Sequence, residues 1–268
     1  MSDGGRSPGP TRSALLAAAT VLGFVPMTRP AVAKKTPCQP ATGQPQARFD
    51  ATPSGGTLRL CAGLFPGNVV LAEAITIAGA GAGSTVLSPT SADGGSAVLV
   101  QPAATAVPCG LPVIGDDNVR GGAIGNDGTP TLDRCAVRGN SANDGAGIDN
   151  AAAATLTLAG TAVTGNRSAF QYGGIENDGT LDVRSGSVIC SANPADGNRA
   201  AHASGGGVFN AGTGRASFSK GTKVTGNSSG GNPGGIWNEA GVVTLATTKI
   251  VSGNAPDNCG GAVERCVN

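Results

Sequence analysis

The chain of 268 residues contains 45 Gly and 17 Pro, and this abundance of poor helix formers argues against a helical bundle. Lys and Arg number 18 against 17 Asp and Glu, so the formal net charge is +1, and we expect no nucleic-acid binding through a basic surface. Aromatic residues make up only 3% of the chain, so the core must be built from small aliphatic side chains in thin, regular packing.

The first 33 residues have the pattern of a secretory signal peptide. Arg6 and Arg12 precede an apolar run over residues 14–25, and Ala31-Val32-Ala33 is a small-x-small pattern suited to signal peptidase. The run is shorter than the ~20 residues of a membrane-spanning helix, which makes a membrane anchor the less favoured interpretation. We therefore expect a secreted, monomeric mature chain without a transmembrane segment, in which residues 34–55 form a leader or cap.

Residues 56–120 show weaker strand patterns. Residues 57–61, 75–77 and 97–100 have the alternating or apolar character of short strands, and residues 79–83 have that of a tight turn. We interpret this region as two or three coils of a repeating structure, less regular than the coils that follow.

From Gly121 onward the chain carries an internal repeat, small-Gly/Ala-Ile/Val-x-Asn, in five copies whose Asn residues are 24, 27, 33 and 28 positions apart. The five copies end at Asn126, Asn150, Asn177, Asn210 and Asn238. A second motif, aliphatic-x-x-Asn, ends 14 to 17 residues after each first one. Its copies run from Val137 to Asn140, Val163 to Asn166, Cys190 to Asn193, Val224 to Asn227 and Val251 to Asn254.

A repeating unit of about 27 residues with two or three short strands is typical of one coil of a parallel β-helix. Each strand would pair with its equivalent one coil away, about 4.8 Å along the axis, so the Ile or Val of each first motif stacks into an inward column. The two-residue period of a strand turns the x positions outward and the Asn inward, where each Asn can bond its own bend and the next Asn. The outward positions are Gly125, Asp149, Glu176, Phe209 and Trp237.

The segment Gly121-Gly122-Ala123-Ile124 and the aliphatic-x-x-Asn partners resemble the GGAI and FxxN repeats of chlamydial polymorphic outer membrane proteins, although Val or Cys stands in place of the Phe. The chain is more broadly similar to the right-handed parallel β-helix repeat proteins that bacteria secrete, which share the pectin-lyase-like fold. Cys61-Ala62-Gly63 and Ile77-Ala78-Gly79 look like parts of their opening coils. The resemblance implies the fold and is weak for any activity.

The sequence thus predicts an all-β protein, a right-handed single-stranded parallel β-helix solenoid of about seven or eight coils over residues 56–254. A disulfide-closed tail follows at residues 255–268. We expect the Asn column at the end of the first motif to be structural, because it satisfies polar groups at the bends.

All seven Cys lie beyond the signal peptide, where export allows disulfides to persist. The spacings favour three pairs, which are Cys38 with Cys61, Cys109 with Cys135, and Cys259 with Cys266. Cys190 stands in place of a column Val, so we expect a buried free thiol there. Zinc is the rival interpretation, and the lack of any CxxC or CxxH spacing disfavours it.

The outward column holds the candidate site. Asp149 and Glu176 would lie one coil apart, as a pair able to bind Ca²⁺ or share a proton; apart from that Ca²⁺ option we expect no cofactor and no metal site. Phe209 and Trp237 would form a platform for a sugar. The alternative interpretation is that the acids keep the surface soluble and the aromatic side chains stabilise the sheet.

Catalysis of the kind found in polysaccharide lyases needs clustered acidic ligands for Ca²⁺ and a nearby base. Asp133 with Arg134, and Asp182 with Arg184, are the nearest approach to it. The leading prediction is therefore a non-enzymatic extracellular or cell-surface module that binds a glycan or a partner protein. The alternative is a carbohydrate-active enzyme on the same fold, a polysaccharide lyase before a glycoside hydrolase.

Overall fold

The chain divides into two units, Met1–Lys35 and Thr36–Asn268, and every element given below belongs to the second. The predicted signal peptide, apart from its first residue, lies outside the residues that the structure, a computed structural model, describes. The described residues are 1, 37–80, 84–88, 95–102, 104, 107–109, 112–113, 118–120, 122–190, 196–202 and 204–268, the side chains of 107–109, 112–113 and 118–120 excepted.

The unit Thr36–Asn268 is a parallel β-solenoid of about 6 turns. Its strands pair only in parallel in the part of the chain that is described, which confirms the all-β parallel β-helix predicted from the repeat. The turns are fewer than the predicted seven or eight: within the described residues, the strands at the two ends of the stack belong to only some of the sheets. One short helix, Gln46–Asp50, precedes the first strand.

Five sheets run along the solenoid, each built from strands of successive turns. Sheet I comprises Val69–Leu71, Val98–Val100, Ile124–Asn126, Ile148–Asn150, Ile175–Asn177, Val208–Asn210, Ile236–Asn238 and Cys259–Gly261. Sheet III comprises Gly63–Pro66, Thr85–Ser88, Pro112–Val113, Ala136–Arg138, Ala162–Thr164, Val188–Cys190, Lys223–Thr225 and Val251–Ser252.

The other three sheets have fewer strands. Sheet II comprises Thr131–Asp133, Thr155–Ala159, Thr180–Arg184, Arg215–Phe218 and Val242–Leu245. Sheet IV comprises Asn118–Arg120, Ser141–Asp144, Arg167–Gln171, Arg199–Ala200 and Ser228–Ser229. The N-terminal sheet comprises Thr57–Arg59, Thr76–Ala78 and Val107–Cys109.

From Ile124 to Ile236 the chain visits sheets I, II, III and IV in that order before it returns to sheet I. A turn therefore has four short strands, where the sequence predicts two or three. The additional corner lies between sheets III and IV, where Gly139 has a φ of 67° and Gly165 a φ of 66°. A residue without a Cβ adopts this left-handed conformation without strain, so the chain bends sharply within a very short connection.

Aliphatic columns from sheets I and III fill much of the interior. Sheet I contributes Val98, Ile124, Ile148, Ile175, Val208 and Ile236, all at most 2% exposed and in register from strand to strand. Sheet III contributes Val137, Val163, Ile189, Val224 and Val251. Each such side chain stabilises the fold by about 1.5–3 kcal/mol through burial, so the columns are the main source of stability.

The Asn residues that end the first motif form a buried ladder at the corner between sheets I and II. Each Nδ2 donates to the Oδ1 of the next Asn, at 2.7, 2.6, 2.7 and 2.8 Å in succession. The members of this first Asn ladder are Asn126, Asn150, Asn177, Asn210 and Asn238. At its first member, Oδ1 also accepts the Gly128 N–H at 3.0 Å, so the ladder pairs groups that the bend leaves without a strand partner.

A second Asn ladder lies at the corner between sheets III and IV, and its members are Asn140, Asn166, Asn198, Asn227 and Asn254. The prediction of Asn193 for the third position is wrong, because the coil is longer here and Asn198 takes that place. Asn193 itself lies outside the described residues.

The column position assigned to Cys190 is also wrong. Ile189 is fully buried in the column, whereas Cys190 is only half-buried and lies in register with Thr225. Adjacent residues of a strand point to opposite faces, so the one-residue shift moves the Cys190 side chain to the outside. Its thiol is free, as expected, but it is not part of the core.

Disulfides join two of the predicted Cys pairs. Cys38 is bonded to Cys61, with their Cα atoms 5.0 Å apart, and Cys259 to Cys266, with Cα atoms 6.3 Å apart. The strand Cys259–Gly261 pairs with Ile236–Asn238, so the predicted tail continues sheet I before it closes. The side chain of Cys109 lies outside the described residues, and its pairing with Cys135 stays a prediction.

Candidate functional site

The outer face of sheet I brings the predicted site residues into one row. The register aligns Gly125 with Asp149, Asp149 with Glu176, Glu176 with Phe209, and Phe209 with Trp237. Each step is one strand spacing of about 4.8 Å, so the five positions extend over about 19 Å. We call this set the outer row.

Three members of the outer row are less exposed than solvent-facing positions should be. Gly125 is buried, Glu176 is 7% and Phe209 is 8% exposed, whereas Asp149 and Trp237 are half-buried. Tyr172 covers Phe209, with ring centroids 4.0 Å apart and an interplanar angle of 36°. This contact was not predicted, although Tyr172 opens the third copy of the first motif, where the other copies have Gly or Pro.

Tyr172 lies among acidic side chains. Burial is the largest cause that raises the pKa of its phenol, from 10.0 to about 12, and the charges of Glu176, Glu239, Asp144 and Asp178 raise it further. Negative charge on the phenolate is disfavoured both by the loss of water and by these carboxylates. The phenol therefore stays protonated and can donate a hydrogen bond over the whole physiological pH range.

A groove of about 470 Å³ adjoins the first residues of the outer row. Its lining includes Asn68, Ser96, Leu99, Gly125 and Asp149. A Cβ at Gly125 would lie 2.9 Å from Ser96 Oγ and 3.3 Å from Leu99 Cδ1, so the missing side chain makes the depression. Spacing alone could not reveal this groove, because its other wall comes from the less regular turns before the repeat.

At the other end of the outer row, the Trp237 ring packs on the backbone of the next strand. A Cβ built at Gly260 would lie 2.5 Å from Trp237 Cε3 and 2.6 Å from Cζ3. The ring lies so close to Gly260 that a side chain at this position would clash with it. The Trp237 side chain packs on this backbone and stays half-buried, so part of the ring faces solvent. A fixed aromatic ring of this kind can stack against the apolar face of a sugar.

The acid–base pairs considered for lyase chemistry lie elsewhere. Arg134 Nη2 is 3.0 Å from Asp133 Oδ2, and Arg184 Nη1 is 3.4 Å from Asp182 Oδ2. Both Asp residues belong to sheet II, whereas Asp149 and Glu176 belong to sheet I. Within the described ranges, no three His, Cys, Asp or Glu side chains are arranged to hold a metal ion.

Comparison with known protein families, with curated proteins and with solved structures gives no match for this chain. Over the residues described, no helix has the length and apolar character needed to cross a membrane. The structure describes the chain as a parallel β-solenoid that carries a row of acidic and aromatic residues on one face.

Proposed function

We propose that the chain is a secreted, non-enzymatic β-helix module, akin to pectin-lyase-like repeat proteins, that binds a glycan along the outer row. The observation that carries the proposal is the alignment, along one row, of a groove, the half-buried carboxylate of Asp149 and the supported Trp237 ring. Extended glycans present alternating apolar faces and hydroxyl groups, which match aromatic rings and carboxylate acceptors.

The charge of the outer row favours a neutral or amino-sugar polymer as the ligand. Asp149 and Glu176 lie in the row itself, and the charges of Asp144, Asp178 and Glu239 act on the neighbouring Tyr172 hydroxyl. A polyuronate would bring its own carboxylates close to these groups and be repelled, whereas a protonated amine would be attracted to them and to the aromatic faces.

Titration of the single Trp tests the proposal directly. Since Trp237 is the one Trp of the chain, its fluorescence reports on the outer row alone. We expect a saturable change with a glucosamine polymer or a neutral glucan and none with polygalacturonate. In calorimetry, Trp237→Ala should weaken binding at least tenfold, equivalent to about 1.4 kcal/mol, through loss of the platform.

Phe170→Ala is the matched control, because Phe170 is an exposed aromatic residue, 53% exposed, on sheet IV. It should leave glycan affinity unchanged. Equal affinity of the Trp237→Ala and unsubstituted proteins for every glycan bound would refute the platform. Circular dichroism of both variants checks that the solenoid is retained.

A second candidate function is glycoside hydrolysis by Asp149 and Glu176. Their strands are adjacent and in register, so the two acids occupy neighbouring positions of one sheet face, and a glycosidase needs such a pair of carboxyl groups. The test incubates the same glycans with the protein and measures new reducing ends. A parallel incubation with polygalacturonate and Ca²⁺ tests for polysaccharide lyase activity. Product formation that Glu176→Gln abolishes would replace the binding proposal with an enzymatic one.

A further inference from the structure

Each edge strand of sheet I is capped at one residue by a side-chain amide. The edge strands are Val69–Leu71 and Cys259–Gly261, and an edge strand presents backbone N–H and C=O groups that can pair with another chain. A carboxamide carries one acceptor and two donors, so it can replace one peptide group of a neighbouring strand.

The two caps have the same geometry. Gln46 Oε1 accepts the Val70 N–H at 2.7 Å, and Gln46 Nε2 donates to Val70 O at 2.9 Å. Asn268 Oδ1 accepts the Cys259 N–H at 2.7 Å, and Asn268 Nδ2 donates to Cys259 O at 2.8 Å. In each case one residue of the edge strand has both of its outward backbone groups occupied.

The residues before Asn268 hold its amide against the edge. The Cys259–Cys266 disulfide ties the segment to the strand that it covers, and Asn258 Nδ2 donates to Val267 O at 2.8 Å. Arg265 Nη1 donates to Leu245 O at 3.2 Å and to Ala246 O at 3.1 Å, which covers carbonyls at the end of sheet II. The segment thus covers the last strands of two sheets at once.

We propose that the Asn268 amide keeps the edge at Cys259 from pairing with the same edge of a second copy of this chain. A two-fold axis would place Cys259 opposite its equivalent, where each N–H faces the other C=O as in an antiparallel pair. Head-to-tail stacking would instead require the edge at Val70, which Gln46 still occupies. Opening the Asn268 cap alone therefore yields a closed dimer and no fibre.

The experiment compares oligomeric states by analytical ultracentrifugation over a range of protein concentrations. Asn268→Ala should form a concentration-dependent dimer where the unsubstituted chain stays monomeric. Asn268→Asp keeps the size of the side chain but replaces the donor to Cys259 O with an acceptor, so this variant should dimerise as well. If the Ala variant loses the circular dichroism signal of its β-strands, the Asp variant provides the test. The double variant Gln46→Ala/Asn268→Ala should form larger, open-ended assemblies.

Val267→Ala is the control, because the Val267 side chain is 61% exposed and its backbone contact with Asn258 does not depend on it. Hydrogen exchange at the Cys259 amide shows whether the cap has opened. Folded Asn268 variants that exchange this amide rapidly yet stay monomeric would overturn the proposal. Open-ended assembly of either single variant would overturn it as well, since Gln46 should prevent such growth.

Discussion

The raised pKa of Tyr172 reports on the burial and negative charge beside the outer row. It is the one Tyr of the chain, so the near-ultraviolet absorbance of tyrosinate measures its ionisation without interference. The titration midpoint should lie at about 12 in the folded protein and near 10 in denaturant. Glu176→Gln should lower the folded midpoint, because it removes one of the neighbouring charges.

The sign of the pH effect on stability follows from the same shift. Below the unfolded pKa of about 10 the phenol is protonated in both states, and its contribution to folding is fully retained. As the pH rises from about 10 to the folded pKa of about 12, the phenol ionises in the unfolded state but stays protonated in the folded one. Over this range the contribution of the phenol to stability is lost. Asp257 is not among the acids that raise the Tyr172 pKa, so Asp257→Asn serves as the control and should leave the midpoint unchanged. A folded midpoint close to the value in denaturant would contradict the raised pKa of Tyr172.

Among the elements, the first Asn ladder should be sensitive to removal of a central member. Asn177 Oδ1 accepts from Asn150 at 2.6 Å and its Nδ2 donates to Asn210 at 2.7 Å. Asn177→Ala takes one buried hydrogen-bond partner from each neighbour, at about 1–3 kcal/mol each, so we expect the free energy of unfolding to fall by about 2–6 kcal/mol.

Urea denaturation measures this loss against Asn143→Ala, the same change at a half-buried residue outside both ladders. The control should change the free energy of unfolding by less than about 0.5 kcal/mol, as for most surface substitutions. If Asn177→Ala behaved like Asn143→Ala, the ladder would be a consequence of the fold without a part in its stability.

The same elements show what could be read from the sequence. The strands of sheet I and the register of the outer row follow from the first motif, because a Gly-Gly-Ile-x-Asn copy fixes both the strand and the bend after it. The second motif failed at Ile189 and Asn198, where additional residues lengthen the corner. Strict spacing cannot locate a ladder member across an insertion, since only packing against neighbouring turns selects the Asn that completes it.

Features made by residues far apart in the chain could not be predicted. Leu99 shapes the groove at Gly125 from an earlier turn, and the Gln46 and Asn268 caps depend on where chain segments outside the repeat return to sheet I. None of these contacts leaves a periodic signal, because each occurs once. The sequence therefore predicted the row of site residues but neither its groove nor the closure of its sheet.

For the whole molecule, stacking in one dimension means that each turn contacts only its neighbours, so stability can vary along the axis. Loops of the size closed by Cys38–Cys61 and Cys259–Cys266 contribute about 3 kcal/mol when cross-linked. Removing either disulfide should increase local opening at its own end by roughly a hundredfold and leave the central strand Ile175–Asn177 unaffected.

Hydrogen exchange with mass spectrometry tests this on two double variants, Cys38→Ser/Cys61→Ser and Cys259→Ser/Cys266→Ser. Each variant should speed exchange in the strands next to its lost bond, Thr57–Arg59 for the first and Cys259–Gly261 for the second. Each serves as the control for the other, because the two bonds lie at opposite ends of the stack. Equal acceleration at both ends and in the central strand would show that the solenoid opens as a single cooperative unit, against the nearest-neighbour description.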